Sequence, residues 1–189
     1  MSETNEHWYA MRVTYGRELK VEAALKDQFR VYVPKCYKMV ERFGKRTCEL
    51  TSQVPNLLFI YSSASALKEV KQKNLSAQSL RFMTNRHGEY IVVPDKQMDD
   101  FIRVSQLAED QRMPFEINNQ KLLAGQRVRI TDGELAGVEG SIVRLHGNKK
   151  VVVHIQNLVA TAITYLPSAW VTKIEDTEEI EDDIKEINE

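Results

Sequence analysis

The chain has 189 residues, of which 42% are hydrophobic and 28% are charged, and its formal net charge is -1. This composition is typical of a folded protein, and the length is sufficient for two small hydrophobic cores. The near-neutral charge argues against a dedicated nucleic-acid coat protein. Residues 177–189 carry one Lys+Arg against seven Asp+Glu, however, so the rest of the chain has a small net positive charge.

The cysteines and the apolar runs indicate the compartment. Cys36 and Cys48 are too few for a disulfide scaffold and favour reduced thiols. The first residues lack the charged-then-apolar profile of a signal peptide, and no apolar run approaches the roughly 20 residues of a membrane span. We therefore expect a cytoplasmic protein with no membrane contact.

The first half alternates strands and helices. In chain order we predict a strand at 8–14, a helix at 17–29, a strand at 31–34, a hairpin at 35–50 with its turn at Gly44, a buried strand at 57–61, a helix at 65–73, strands at 81–83 and 90–93, and a helix at 95–108. After a tail at 1–6, this order predicts an α+β domain over residues 7–108, with helices packed on a mostly antiparallel sheet.

The second half has a different pattern. Residues 109–122 contain Pro114 and no sustained period, and we predict a linker there. Short β-rich runs follow at 126–130, 138–145, 149–155, 159–165 and 170–174. They predict an all-β, SH3-like five-stranded barrel over residues 123–175. Residues 176–189 are predicted to be an acidic, disordered tail, with a transient amphipathic helix through Ile180, Ile184 and Ile187 as the alternative.

The sequence contains no recognisable catalytic, metal-binding or nucleotide-binding motif. The four histidines, His7, His87, His146 and His154, show no metal-ligand spacing with each other or with the cysteines. A phosphate-binding loop and a dinucleotide-binding GxGxxG motif are both missing. We therefore expect no catalytic residues, no metal and no cofactor.

Two stretches carry a family resemblance. The run 125–145, GQRVRITDGELAGVEGSIVRL, strongly resembles the KOW motif. Trp8-Tyr9, Tyr15-Gly16, Val33-Pro34 and the run 54–60 look like the N-terminal (NGN) domain of the NusG family. Together these features cover about residues 7–175, so the chain resembles NusG-type transcription elongation and antitermination factors. The alternative, a ribosome-associated KOW protein that binds RNA, is typically strongly basic.

Several details are similar to specialised, operon-specific members of that family. Pro55-Asn56 stands where the housekeeping factor usually has Pro-Gly, and the hairpin tip reads Gly44-Lys45-Arg46-Thr47. The segment 157–159, Asn-Leu-Val, replaces a usual Phe-Gly-Arg, which leaves the ribosome or another factor open as partner of the barrel and puts Rho contact in question. The short N-terminus and acidic tail are similar to UpxY-type antiterminators of capsular polysaccharide operons.

The resemblance also implies a polymerase-binding site. The N-terminal domain would act as a monomer, bind the clamp helices of RNA polymerase and suppress pausing. The matching positions are Trp8, Tyr9, Tyr15, Val54, Pro55, Leu57 and Phe59. We expect contacts from Tyr15, Val54 and Leu57, whereas Trp8 and Phe59 are better candidates for the core. The loop with Ser62, Ser63 and Ser65 is implied to touch the opposite jaw of the polymerase, with a helix N-cap as the alternative.

Nucleic-acid contacts are implied as well. The candidates beside the non-template DNA strand are Thr14, Arg17, Lys20, Arg81 and Arg86. Lys45 and Arg46 on the hairpin arm are candidates for following upstream DNA. Solvated surface charge is the alternative for each of them. Some specialised members hold the KOW region as helices, but the many β-branched residues after Gly125 favour strands here.

Overall fold

The computed structural model describes residues 5–73, 77–115, 125–145, 148–155 and 158–174. Within those ranges it is a mixed α/β protein with three α-helices and antiparallel sheets. The elements are β1 (His7–Arg12), α1 (Glu18–Leu25), β2 (Arg30–Tyr32), β3 (Lys35–Arg42), β4 (Lys45–Ser52), β5 (Leu57–Ser62), α2 (Ala64–Lys73), β6 (Arg81–Phe82), β7 (Val92–Val93), α3 (Asp95–Ser105), β8 (Arg112–Phe115), β9 (Gln126–Ile130), β10 (Glu139–Leu145), β11 (Asn148–Ile155), β12 (Val159–Ile163) and β13 (Val171–Lys173).

A five-stranded sheet forms the N-terminal half. Its order is β2-β5-β1-β6, with β7 also paired to β1. The register of the two central strands sets Trp8 opposite Tyr61 and Met11 opposite Leu58. One face of the sheet packs against α1 and α2 and the other against α3, so the apolar run 57–60 is buried on both sides. The predicted α+β order of strands and helices is therefore confirmed for this half.

Strands β3 and β4 form a separate two-stranded arm. Their register sets Arg42 opposite Lys45, which leaves Phe43 and Gly44 as a two-residue loop. The φ angles of these residues are 53° and 73°. Positive φ at both loop residues is what a type I′ turn requires, and the twist of that turn matches the twist of paired strands. The predicted hairpin, with its turn at Gly44, is confirmed.

The C-terminal half is a six-stranded antiparallel sheet in the order β13-β9-β10-β11-β12-β8. The five predicted strands occur here with small shifts of their bounds. The sixth strand, β8, comes from the segment predicted as a linker and pairs with the outer edge of β12. Pro114 is compatible with this place because β8 is an edge strand. Residues 112–115 are thus a strand rather than linker, and the described strand pairs form an open sheet. The predicted closed barrel is not confirmed.

Helix α3 joins the two halves. One side of it contacts β1, and another contacts β11 and β12. Arg103 donates hydrogen bonds across this contact from Nη2 to the carbonyl of Glu134 (2.6 Å) and from Nη1 to that of Ala136 (3.1 Å). The buried carboxylate of Asp100 accepts a hydrogen bond from the backbone N–H of Glu139 at 3.1 Å. The two halves therefore meet in a specific, hydrogen-bonded interface.

A second contact lies beside the entrance to β5. The side-chain nitrogen Nε2 of Gln53 donates to the carbonyl of Ala160 at 2.9 Å, and Gln53 is buried there. Because Gln53 immediately precedes Val54 and Pro55, the C-terminal sheet lies next to the turn that leads into β5.

Some predicted features lie outside the described residues. They are the start of the N-terminal tail, the later part of the linker, His146, Asn157 and the acidic tail, and these stay predictions. Among the helices that the structure describes, none is long and apolar enough to cross a membrane.

Candidate functional site

The turn between β1 and α1 displays an aromatic ring. Tyr15 is 87% exposed, and its φ of 64° lies in the left-handed region that a bulky side chain rarely adopts. Gly16 follows with a φ of 61°. Two consecutive left-handed residues turn the chain sharply, and the ring of Tyr15 is left in solvent. An exposed aromatic ring on a strained turn is a candidate binding element.

Asn56 and Glu18 hold this turn in place. The backbone N–H of Val13 donates to the carbonyl of Asn56 at 3.0 Å, and that of Gly16 donates to its side-chain Oδ1 at 3.4 Å. The buried carboxylate of Glu18 in turn accepts the backbone N–H of Asn56. Asn56 itself has a φ of 65°, which asparagine tolerates better than most residues. The turn that carries Tyr15 and the turn that enters β5 are therefore one unit.

The second turn contributes a smaller apolar surface. Val54 is half-buried and Pro55 is exposed. The hydroxyl of Ser52 donates to the carbonyl of Val54 at 2.6 Å and fixes the chain before the turn. Tyr15, Val54 and Pro55 are thus the members of the predicted polymerase-binding set that reach the surface.

The remaining members of that set lie in the core. Trp8, Tyr9 and Phe59 are buried, with Trp8 and Phe59 in the face covered by α3. Leu57, which we expected to make a contact, is only 3% exposed and packs in the same cluster. The reason is that both faces of β5 are covered, so strand alternation leaves no outward side for Leu57.

The serine loop caps a helix. The backbone N–H of Ala66 donates to the hydroxyl of Ser63 at 3.2 Å, and that hydroxyl lies 3.0 Å from the hydroxyl of Ser65. Ser63 thus satisfies a free N–H in the first turn of α2, as expected for an N-cap. Ser62 is buried in β5 and Ser63 is half-buried, so Ser65 is the exposed member of the three.

The predicted DNA-contacting residues fall into two groups. Arg17 lies over the ring of Tyr15 at 5.8 Å, Thr14 is half-buried beside it, and Lys20 is exposed on α1. Arg81 lies apart from them on β6, directly opposite Arg12 of β1, and both arginines are exposed. Like charges opposite each other in a sheet are destabilising. This arginine pair is therefore a candidate anion site, and Arg12 was missed because only the register reveals it.

A ring platform near Arg86 was also missed from the sequence. The rings of Phe82 and Tyr90 are stacked with centroids 4.1 Å apart and an interplanar angle of 12°. Lys68 lies 5.7 Å from the centroid of Tyr90, and Lys71 lies 5.9 Å from that of Phe82. Arg86 is exposed in the turn that precedes Tyr90. Helical spacing would place Lys68 and Lys71 together, but no sequence signal connects α2 with Tyr90.

The arm carries its charges in cross-strand pairs. Arg46 lies 3.6 Å from Glu41, and Arg42 lies 3.0 Å from Glu49. Lys45 is exposed at the tip beside Phe43, whose side chain is also fully exposed. Of the two residues predicted to follow DNA, Arg46 is therefore paired with Glu41. Lys45 is the better placed of the two to bind a phosphate.

At the contact between the halves, the carboxylate of Glu139 is paired with two arginines. Arg129 donates to its Oε1 from Nη2 (2.7 Å) and Nε (3.1 Å), and Arg127 donates to Oε2 at 3.3 Å. The hydrogen bond from Arg129 is the main cause that holds the pKa of Glu139 below its ordinary value. Within the described ranges no cluster of three His, Cys, Asp or Glu side chains is arranged to hold a metal ion.

A known family matches the N-terminal half of the chain. Residues 6–102, which are 97 of the 189 residues, match the family described as "Transcription termination factor nusG". No curated protein shows a significant match.

Among solved structures, one of Thermotoga maritima NusG, titled for its domain interaction, matches with 19% identity, 90% of this chain, 98% of that chain and a TM-score of 0.46. An MjSpt4:Spt5 complex matches with 11% identity, 89% and 98% coverage and a TM-score of 0.26. The family match covers more than half of the chain, and this protein therefore belongs to the NusG family of transcription factors.

Proposed function

We propose that this protein is a transcription elongation factor that binds RNA polymerase through the surface formed by Tyr15, Val54 and Pro55. The observation that carries the proposal is Tyr15, an almost fully exposed ring held at a φ of 64° by Asn56. Aromatic anchors of this kind dominate protein interfaces because they bury much area at little loss of conformational freedom. The protein acts by binding and needs no catalytic residue.

The C-terminal half regulates access to that surface. The bond from Gln53 to Ala160 places the C-terminal sheet beside Val54 and Pro55. A large partner that lies over these residues would collide with the sheet. We therefore propose that polymerase binds the form in which the contact between the halves has opened. The C-terminal sheet would be the KOW unit that other factors bind, as its strand order and the 125–145 motif support.

The polymerase proposal is tested by binding of the full chain to purified RNA polymerase core. Tyr15→Asn removes the ring while retaining a residue that tolerates left-handed φ. Loss of a central aromatic anchor costs about 2 kcal/mol or more, so the affinity should fall roughly 30-fold. Phe43→Asn is the matched control, because Phe43 is also an exposed aromatic residue with positive φ, at 53°. Equal affinities for both variants and for wild type would refute the assignment of Tyr15.

We further propose that the protein is a specialised antiterminator of the UpxY type, which touches the non-template DNA strand. Arg17 over Tyr15, the Arg12–Arg81 pair and the ring platform beside Lys68 and Lys71 support a role for nucleic acid. Asn56 in a left-handed turn also explains how this chain dispenses with the glycine that is usual in the housekeeping factor. A transcription assay on polysaccharide operon leaders tests the idea, with Arg12→Gln and Arg81→Gln compared with wild type. Readthrough that is unchanged in both variants, or absent in wild type, would contradict it.

A further inference from the structure

An apolar groove opens on the C-terminal sheet, close to the last described residues. Its floor consists of Val128, Val151 and Ile163, which are already buried in the core, and of the half-buried Ile142, and its volume is about 400 Å³. Tyr165 lines the same groove and is 80% exposed. Space of this size accommodates large aliphatic side chains, and Ile142, Tyr165 and Val171 are the apolar lining residues that an occupant would cover.

The rim of the groove is positively charged. Lys149, Lys150 and Lys173 line it. None of the carboxylates in the described ranges lies within ion-pair distance of these lysines. Lys150 donates to the carbonyl of Thr164 at 2.9 Å, which holds its ammonium group at the rim. An apolar floor with an unneutralised basic rim fits an occupant that combines aliphatic side chains with carboxylates.

We propose that the chain's own segment 175–189 occupies this groove. The segment has nine Asp and Glu against one Lys, and its isoleucines are Ile180, Ile184 and Ile187. Spacings of four and three residues put these isoleucines on one face of a helix. In the docked form the isoleucines would cover Ile142 and Tyr165, and the carboxylates would face the three lysines.

The starting point of the segment favours this occupant over a separate protein. The last described residue, Ile174, donates its backbone N–H to the carbonyl of Arg127 at 3.0 Å, one residue before Val128 on the groove floor. Fifteen residues reach about 50 Å when extended, which is ample for the chain to turn back. Tethering makes the docking intramolecular and raises the effective concentration to about millimolar. The docked segment withholds the groove from other partners, independently of polymerase binding.

The test places a spin label on the segment in the full chain. Asp183→Cys carries a nitroxide in a background of Cys36→Ala and Cys48→Ser, and methyl signals are recorded by NMR. The signals of Val128, Ile142 and Val151 should lose most of their intensity, whereas those of Val21 and Leu25 in the N-terminal core should keep theirs. Groove signals that keep full intensity would overturn the proposal.

Charge variants and a mixing experiment complete the test. Lys149→Glu with Lys173→Glu should restore the lost groove signals, whereas Lys20→Glu with Lys38→Glu, an equal change of charge at exposed lysines elsewhere, should not. Failure of the groove variant to restore the signals would refute the role of the lysine rim. In the mixing experiment, spin-labelled chain at natural isotope abundance is combined with isotope-enriched chain that carries no spin label. Signal loss in that mixture would mean that the segment of a second copy fills the groove, and would also overturn the proposal.

Discussion

Arg103→Ala tests whether the contact between the two halves limits access of RNA polymerase. Arg103 reaches from α3 to the carbonyls of Glu134 and Ala136 at 2.6 and 3.1 Å. These are charge-assisted hydrogen bonds, but the guanidinium is exposed, so water replaces much of what is lost on opening. We estimate that together they contribute about 1–2 kcal/mol to the closed arrangement.

That free energy converts into an affinity. Removing about 1–2 kcal/mol raises the ratio of open to closed chains roughly 5- to 30-fold. If only the open form binds, and the closed form predominates, the apparent Kd for polymerase falls by the same factor. The Arg103→Ala variant is therefore expected to bind more tightly than wild type, which is the opposite of a substitution in a binding surface.

The assay is a titration of full-length chain against RNA polymerase core. Arg144→Ala is the matched control, because Arg144 is exposed on β10 and its loss changes the net charge equally. Combining Arg103→Ala with Tyr15→Asn should give additive effects on the binding free energy, since opening precedes contact. An affinity of Arg103→Ala that is equal to wild type or weaker, in a variant that remains folded, would refute the gating by the C-terminal half.

Three further predictions concern stability and reactivity. The pKa of Glu139 is lower in the folded chain than its ordinary 4.5, so its contribution to stability is present above that value and is lost as pH falls through the folded pKa; urea unfolding of wild type should weaken below about pH 4.5 more than that of Glu139→Gln, and parallel pH profiles would argue against it. Gly133→Ala should lower the free energy of unfolding more than Gly137→Ala: both glycines have positive φ (77° and 86°), but a Cβ at Gly133 would also lie 2.7 Å from the ring of Trp170. Thermal unfolding compares the two variants, and about 1 kcal/mol is expected for Gly137→Ala from its left-handed φ alone. Burial raises the pKa of the Cys36 thiol, whereas Cys48 is exposed; a thiol reagent should therefore label Cys48 fast and Cys36 slowly, and Cys48→Ser should abolish the fast phase.

The strands and helices of the N-terminal half were predictable because their signals are local. The helical spacing of Val21 and Leu25 and the continuous apolar run 57–60 each identify an element within a few residues. Strand β8 was not predictable in this way. It is four residues long and contains Pro114, and it exists because the edge of β12 offers hydrogen bonds that no local pattern announces.

The residues of the candidate site were predictable from the sequence, but which of their side chains are exposed to solvent was not. Tyr15 and Leu57 both fit the resemblance, yet one is 87% and the other 3% exposed. Leu57 is buried because it lies in the cluster that α3 covers, which is a contact between distant segments, whereas Tyr15 is exposed because of its left-handed turn. The bond between Gln53 and Ala160 spans 107 residues, so the closeness of the C-terminal sheet to the site also required the structure.

Backbone strain in the described ranges is concentrated at turns. In the described ranges the non-glycine residues with positive φ are Tyr15, Phe43 and Asn56. Two of them are exposed aromatic residues at turns, and two belong to the turn unit that Glu18 stabilises from inside. Because helices cover both faces of the N-terminal sheet, the sheet itself has little apolar surface to offer a partner. Binding surface must come from the turns at its ends, and a left-handed residue is one way to force a large ring outward there. The exposed ring of Tyr15 thus offers a partner the apolar surface that the covered sheet does not.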